Sequence, residues 1–252
     1  MTIIASKIIA SNWKMNLDRQ SAEQLLVEMA SCPVGDKVKR IVFPSFTLLD
    51  LARATREQIG LANHLALGGQ DCHAAANGAH TGDVSAAMLI ESGCQWVLVG
   101  HSERRQNHKE SSATIAAKLE MAQAEGLYVM LCVGENLAER ESGHAEATVT
   151  AMLSGSLPHK VDGAKLAIAY EPVWAIGTGM TATPENVMEM HQAIHKHLKN
   201  SGLNDVPVLY GGSVNPENAN TLLALDQVDG VLVGGASLDA KSINAITLAA
   251  EI

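Results

Sequence analysis

Lys165-Leu166-Ala167-Ile168-Ala169-Tyr170 is a short apolar run that ends on Glu171-Pro172-Val173-Trp174-Ala175-Ile176-Gly177-Thr178-Gly179, and Thr183-Pro184-Glu185 then opens a segment with helical spacing. The run does not alternate between apolar and polar residues, so it reads as a strand covered on both faces. Thr183 followed by Pro184 is a cap residue with proline at the first helical position. The stretch is therefore one strand–loop–helix unit. Similar runs stand at Lys7–Asn12, 39–43, Leu65–Gly69, Trp96–Val99, Tyr128–Val133, 206–210 and Gly230–Val233. Helical spacing fills the intervals at 21–31, 47–59, Ser112–Glu125, 183–199 and 237–250. A βαβ unit needs about 30 residues, and eight units use up the 252 residues of the chain. No Gly/Ser/Pro tract or charge block divides it. The expectation is one α/β domain over residues 1–252, with either a closed parallel barrel or a doubly wound open sheet.

The composition narrows the function classes. With 47% hydrophobic and 18% charged residues, the chain is not of the disordered type. No apolar run approaches the roughly 20 residues of a spanning helix. A formal charge of −9 argues against nucleic acid or an anionic membrane as the main partner. Only 3% of residues are aromatic, so aliphatic side chains are expected to fill the barrel. Cys32, Cys72, Cys94 and Cys132 form no CxxC pair, and Cys94 and Cys132 sit in apolar stretches as small hydrophobes. The first residues lack the pattern of a signal peptide, and no Asn-x-Ser/Thr site occurs, so a cytoplasmic location is expected.

In α/β architectures, ligands meet the C-terminal ends of the strands. Those ends carry Asn12-Trp13-Lys14, Gly69-Gln70-Asp71, Gly100-His101-Ser102-Glu103, Cys132-Val133-Gly134-Glu135, Glu171-Pro172, Gly211-Gly212-Ser213 and Gly234-Gly235. Glycines after the last two strands let backbone N–H groups approach a phosphate. Gly177-x-Gly179-x-x-Ala182 formally matches a dinucleotide fingerprint, but Gly177 comes too late after its strand and no acid follows at the required distance. A loop that closes over a ligand is the better reading of residues 172–179. Glu171, at the end of a buried strand, is expected to have its pKa raised by lost solvation and to act as a base. His101 at a helix start is expected to stay neutral and to donate to a carbonyl oxygen. Lys14 is the cation for a phosphate. His191 and His195 have zinc-like i, i+4 spacing but lack the intervening glutamate and a third ligand. They read as a solvated helix face, and no metal is expected.

Five stretches, in order, resemble the signatures of the triosephosphate isomerase family: Asn12-Trp13-Lys14-Met15-Asn16, 99–105 around His101, 169–179 around Glu171, Tyr210-Gly211-Gly212-Ser213-Val214 and 233–238 around Gly234-Gly235. The resemblance covers the whole chain. It implies a (β/α)8 barrel and the interconversion of dihydroxyacetone phosphate and glyceraldehyde 3-phosphate without a cofactor. It further implies Glu171 as proton shuttle, neutral His101 as electrophile, Lys14 and Asn12 as electrostatic holders, backbone donors at Gly177, Ser213, Gly234 and Gly235 for the phosphate, and 172–179 as lid. The long segment from Gln70 to Asp83 would reach into a second copy of the chain, with Thr81 approaching the partner's site. Two departures stand out: Met180 replaces a lysine often found after the lid glycines, and His80 stands where an aromatic residue is common. A barrel acting on a larger sugar phosphate and a non-catalytic binding module are the competing readings.

Overall fold

The computed structural model describes residues 7–176 and 180–251. Eight strands run in chain order: β1 (Lys7–Asn12), β2 (Val38–Phe43), β3 (Leu65–Gly69), β4 (Trp96–Val99), β5 (Tyr128–Val133), β6 (Leu166–Tyr170), β7 (Val208–Tyr210) and β8 (Gly230–Val233). Each pairs in parallel with the next, and β8 pairs with β1, so the sheet closes into a barrel. Closure excludes the open doubly wound sheet. Two strands start later than their apolar runs suggest. Lys165 ends a 3-10 turn capped by Asp162, so β6 begins at Leu166. Pro207 has no N–H for the ladder, so β7 begins at Val208.

Burial on both faces splits the core in two. One set of strand side chains, including Ile8, Ala10, Ile41, Leu98, Met130, Cys132, Ala167, Ala169, Leu209 and Leu232, fills the barrel. Phe43 and Trp96 belong to this inner set as well, which corrects the expectation of purely aliphatic layers. Gly68 makes the room: a Cβ there would overlap the Phe43 ring. The alternate set, such as Ile9, Val42, Val97, Leu131, Ile168 and Val231, packs outward under the helices. All four cysteines are free and buried, as apolar surroundings predict for Cys94 and Cys132.

The helices are α1 (Arg19–Met29), α2 (Leu49–Gln58), α3 (Ala86–Glu91), α4 (Ser102–Asn107), α5 (Ser112–Glu125), α6 (Leu137–Glu141), α7 (Ala145–Ser156), α8 (Pro184–Asn200), α9 (Pro216–Leu223) and α10 (Ala240–Leu248). Thr183 caps α8 by accepting from the Asn186 N–H, with Pro184 at the first position. The helix expected over 237–250 is split. Gly235–Leu238 forms a 3-10 turn, and Asp239 then caps a fresh start by accepting from the Ser242 N–H. No helix among the described residues is long and apolar enough to cross a membrane.

His191 corrects a second expectation. It is fully buried, with Nδ1 2.8 Å from the Gln227 carbonyl and its ring edge-on to Tyr170. His195 faces the same carbonyl at 3.3 Å. The His191 ring therefore serves the packing of α8 instead of a solvated face, whereas His195 is half-buried and keeps part of its ring in solvent. Burial pulls the His191 pKa down to about 4, and among the described residues the buried Nε2 has no hydrogen-bond partner to receive a second proton's charge. The neutral ring is the folded form, whereas an unfolded histidine titrates near 6.5. The unfolded chain binds the extra proton first, so stability is complete above pH 6.5 and falls toward pH 4 by about 3 kcal/mol in full. Urea unfolding at pH 7 and pH 4.5 checks this: His191→Phe should lose less stability between the two than the parent chain.

Candidate active site

Asn12, Lys14, His101, Glu171, Ser213, Gly234 and Gly235 all line one cleft of about 140 Å³ at the C-terminal ends of the strands. They come from β1, β4, β6, β7 and β8 or the turns just after them. Gly177, Thr178 and Gly179, named above for the phosphate and the lid, lie outside the described residues.

Lys14 sits in the left-handed region with φ 53°, a conformation that costs a lysine energy and has to be held. Asn12 Oδ1 accepts the Lys14 N–H at 3.0 Å. Gln70 donates its amide to the carbonyls of Lys14 and Phe43 at 2.8 and 2.9 Å, clamping the turn from above β3. The Lys14 ammonium meets Glu103 Oε1 at 2.6 Å, both side chains remaining partly solvated. Among the described lining residues, Lys14 is the only lysine or arginine.

His101 is the N-cap of α4, as the helix-start reading expected. Its Nδ1 accepts the Glu103 N–H at 3.2 Å, and its Nε2 lies 3.0 Å from Glu171 Oε1. A ring nitrogen that accepts has no proton, so this geometry selects the neutral tautomer with hydrogen on Nε2. Burial lowers the His101 pKa, but the adjacent Glu171 carboxylate and Glu103 together outweigh it and hold the pKa above the ordinary value. The opposing Glu103 N–H is fixed in the helix terminus, while the carboxylate contact lasts only while Glu171 stays there.

Glu171 is fully buried and its Oε2 accepts the Ser102 N–H at 2.9 Å. Burial pushes its pKa up, as the sequence suggests. However, His101 and the Ser102 N–H outweigh burial, so the carboxyl stands below its ordinary value in this arrangement. The expected upward shift is thus not the resting state; it requires the carboxylate to leave these two partners. Glu171 also borders a second cavity of about 160 Å³, on the side of Ser102, Gly134 and Val173. Its backbone is held between Gly134, where a Cβ would strike the Glu171 carbonyl, and Gly211, where a Cβ would stand 3.0 Å from Glu171 Cγ.

The strand-end reading passed over several supporting groups. Glu135 is fully buried; its Oε1 accepts from Tyr170 Oη at 3.0 Å and from Trp174 Nε1 at 2.9 Å, fixing the segment after Glu171. Ser213 donates its hydroxyl to the Ala175 carbonyl at 2.6 Å, tying the same segment to the turn after β7. Gln70, Glu103 and Glu135 were all visible at strand ends, but nothing in the sequence says which of them faces Lys14 or Trp174. Met180 is exposed.

A family model described as triosephosphate isomerase matches residues 7–250. The chain is 45% identical over 252 residues to the triosephosphate isomerase of Ruegeria sp. (strain TM1040), covering 98% of each. It is 46% identical over 243 residues to that of Caulobacter vibrioides, covering 95% of this chain and 94% of the relative. The crystal structure of triosephosphate isomerase from Bartonella henselae superposes with a TM-score of 0.86 at 37% identity, covering 97% of this chain and 98% of that one.

Proposed function

The chain belongs to the triosephosphate isomerase family, and from that premise we propose that it interconverts dihydroxyacetone phosphate and D-glyceraldehyde 3-phosphate through an enediolate. The observation that carries this reading is the 3.0 Å approach of Glu171 to the neutral-tautomer His101 in the cleft that also holds Lys14. The pairing of a glutamate base with a neutral histidine is the one already known for this family.

Backbone N–H groups at Ser213, Gly234 and Gly235, with Gly177, take the phosphate, and Lys14 moves from Glu103 to balance its charge. Asn12 holds the Lys14 turn and lends polarity beside the substrate. His101 Nε2–H donates to the substrate oxygen. That draws the ring away from Glu171, whose carboxylate then loses its main counter-partner. Burial dominates from that point, the pKa of Glu171 rises, and the group becomes a competent base. It takes the proton from one carbon and returns it to the neighbouring carbon, while the hydroxyl proton passes by way of His101 Nε2 to the former carbonyl oxygen and negative charge gathers on the oxygens facing His101 and Lys14. Residues 172–179 close over the intermediate, because an enediolate exposed to water would lose phosphate.

The reaction so written needs neither metal nor nucleotide. It belongs to glycolysis and gluconeogenesis, and its triose phosphates are shared with pentose phosphate metabolism. Residues 1–252 act as one domain in the cytoplasm, as a homodimer whose 70–83 loop, with Thr81 foremost, reaches the partner. A coupled assay with triose and pentose phosphates tests the activity, and light scattering on the same sample tests the dimer. Turnover of triose phosphates alone and a mass twice 26.6 kDa are expected. Absent triose turnover would overturn the activity, and a single-chain mass would overturn the dimer.

A further inference from the structure

His101-Ser102-Glu103 is followed by two arginines with different partners. Arg104 pairs with the carboxylates of Asp71 and Glu110. Arg105 reaches back to the strand ends, and its guanidinium donates to neutral acceptors. Nε donates to the Gly100 carbonyl at 2.9 Å. Nη2 donates to the Cys132 carbonyl at 3.1 Å and to Ser156 Oγ at 3.2 Å, and Nη1 donates to Ser112 Oγ at 3.3 Å. We propose that Arg105 is a positioning residue for the isomerase reaction: its guanidinium fixes the 100–102 turn, and with it the His101 ring and the Ser102 N–H that face Glu171.

The turn is tight, and Arg105 grips it on both sides of His101. Only Gly100 and His101 separate β4 from α4, and Gly100 stands in the left-handed region at φ 70°. The Arg105 side chain takes the Gly100 carbonyl, while its backbone N–H donates to the His101 carbonyl at 3.1 Å. The other end of the guanidinium is anchored on packed neighbours. Ser112 opens α5 and Ser156 ends α7. These helices meet so closely that a Cβ at Gly155 would lie 2.9 Å from Ser112 Cβ. Cys132 belongs to β5. One side chain therefore ties the start of α4 to β5, α5 and α7.

Glu171 depends on that turn because packing does not wedge its carboxylate in place. A cavity of about 160 Å³, lined by Glu171 and Arg105 alike, lies beside it. Hydrogen bonds hold the oxygens instead: Oε2 takes the Ser102 N–H at 2.9 Å, and Oε1 lies 3.0 Å from His101 Nε2. Both donors belong to the turn that Arg105 clamps. In the reaction His101 has to meet the substrate oxygen, and a misplacement of about 1 Å at such a group costs about 10²-fold in rate. Shape matters more than charge in this clamp. All four acceptors are neutral and come from separate parts of the chain, which suits a forked guanidinium and not the single nitrogen of lysine.

The proposal rests on the isomerase reading, so the parent chain is assayed first with triose phosphates; absent turnover there would overturn both. With an active parent, Arg105→Ala should lower kcat by about 10²-fold. KM and inhibition by inorganic phosphate should stay within about threefold of the parent, since the phosphate lies at the turns after β7 and β8. Arg105→Lys keeps the charge and most of the volume, so it should fold even if Arg105→Ala does not. It should still lose about tenfold in kcat, because one nitrogen cannot serve four acceptors. Adding Arg105→Lys to His101→Gln should cost little more than His101→Gln alone, as a residue acting through His101 then has nothing left to position. A kcat of Arg105→Lys within about twofold of the parent, a loss carried by KM, or full additivity with His101→Gln would each overturn the proposal while leaving the isomerase reading intact.

Discussion

Glu171→Gln is expected to lower turnover by about 10²–10⁴-fold, the range that a positioned general base supplies, with a much smaller change in KM. Glutamine keeps the volume of glutamate and can still accept the Ser102 N–H that Glu171 Oε2 takes at 2.9 Å. What it lacks is a lone pair basic enough to remove a carbon-bound proton. Binding depends on Lys14 and on the glycine turns, which the substitution leaves alone, so the loss belongs in kcat. Stability should fall modestly, because the amide keeps the Ser102 contact but loses the charged part of the attraction to His101 that holds the Glu171 pKa down. Steady-state kinetics beside thermal unfolding distinguish the cases. Turnover within tenfold of the parent would remove Glu171 from the chemistry, and a large fall in melting temperature would trace the loss to folding.

The barrel was legible in the chain because its strands are continuous apolar runs with punctuated ends. Seven of the eight expected strands begin and end within one residue of their observed limits on these grounds, β6 starting one residue late at the turn of Lys165 and β7 two residues late at Pro207. Helices fared differently. Ala145–Ser156 is built from Ala, Thr, Ser and Gly around Val149 and Leu153, and so small a buried stripe gives little periodicity to read. The site residues were legible as strand-end positions, and the cleft does collect Asn12, Lys14, His101 and Glu171. The resting direction of the Glu171 pKa was not legible. It depends on His101 lying within 3.0 Å, a contact between residues 70 positions apart in the chain that no local pattern encodes. For the same reason His191 read as solvated: its burial is set by the Gln227 carbonyl and the Tyr170 ring, on other elements.

Lys14→Ala is expected to lower kcat/KM by about 10²–10³-fold, as loss of one charged donor in a catalytic cleft does. It should also weaken inhibition by inorganic phosphate. Two features make this more than the loss of one ion pair. Among the described lining residues there is no other lysine or arginine to take over. Moreover, the partner Glu103, 2.6 Å from the ammonium and half exposed, would then face an incoming phosphate dianion uncompensated. Adding Glu103→Gln to Lys14→Ala should therefore recover part of the binding, and the two changes should fail to add. A third variant separates charge from backbone. At φ 53° glycine is at ease where lysine and alanine are not, so Lys14→Gly should be more stable than Lys14→Ala while losing as much activity. If Lys14→Ala and the parent chain are inhibited by phosphate alike, the cation is not part of the site. If Lys14→Gly recovers activity along with stability, the lysine acts through the shape of its turn and not through its charge.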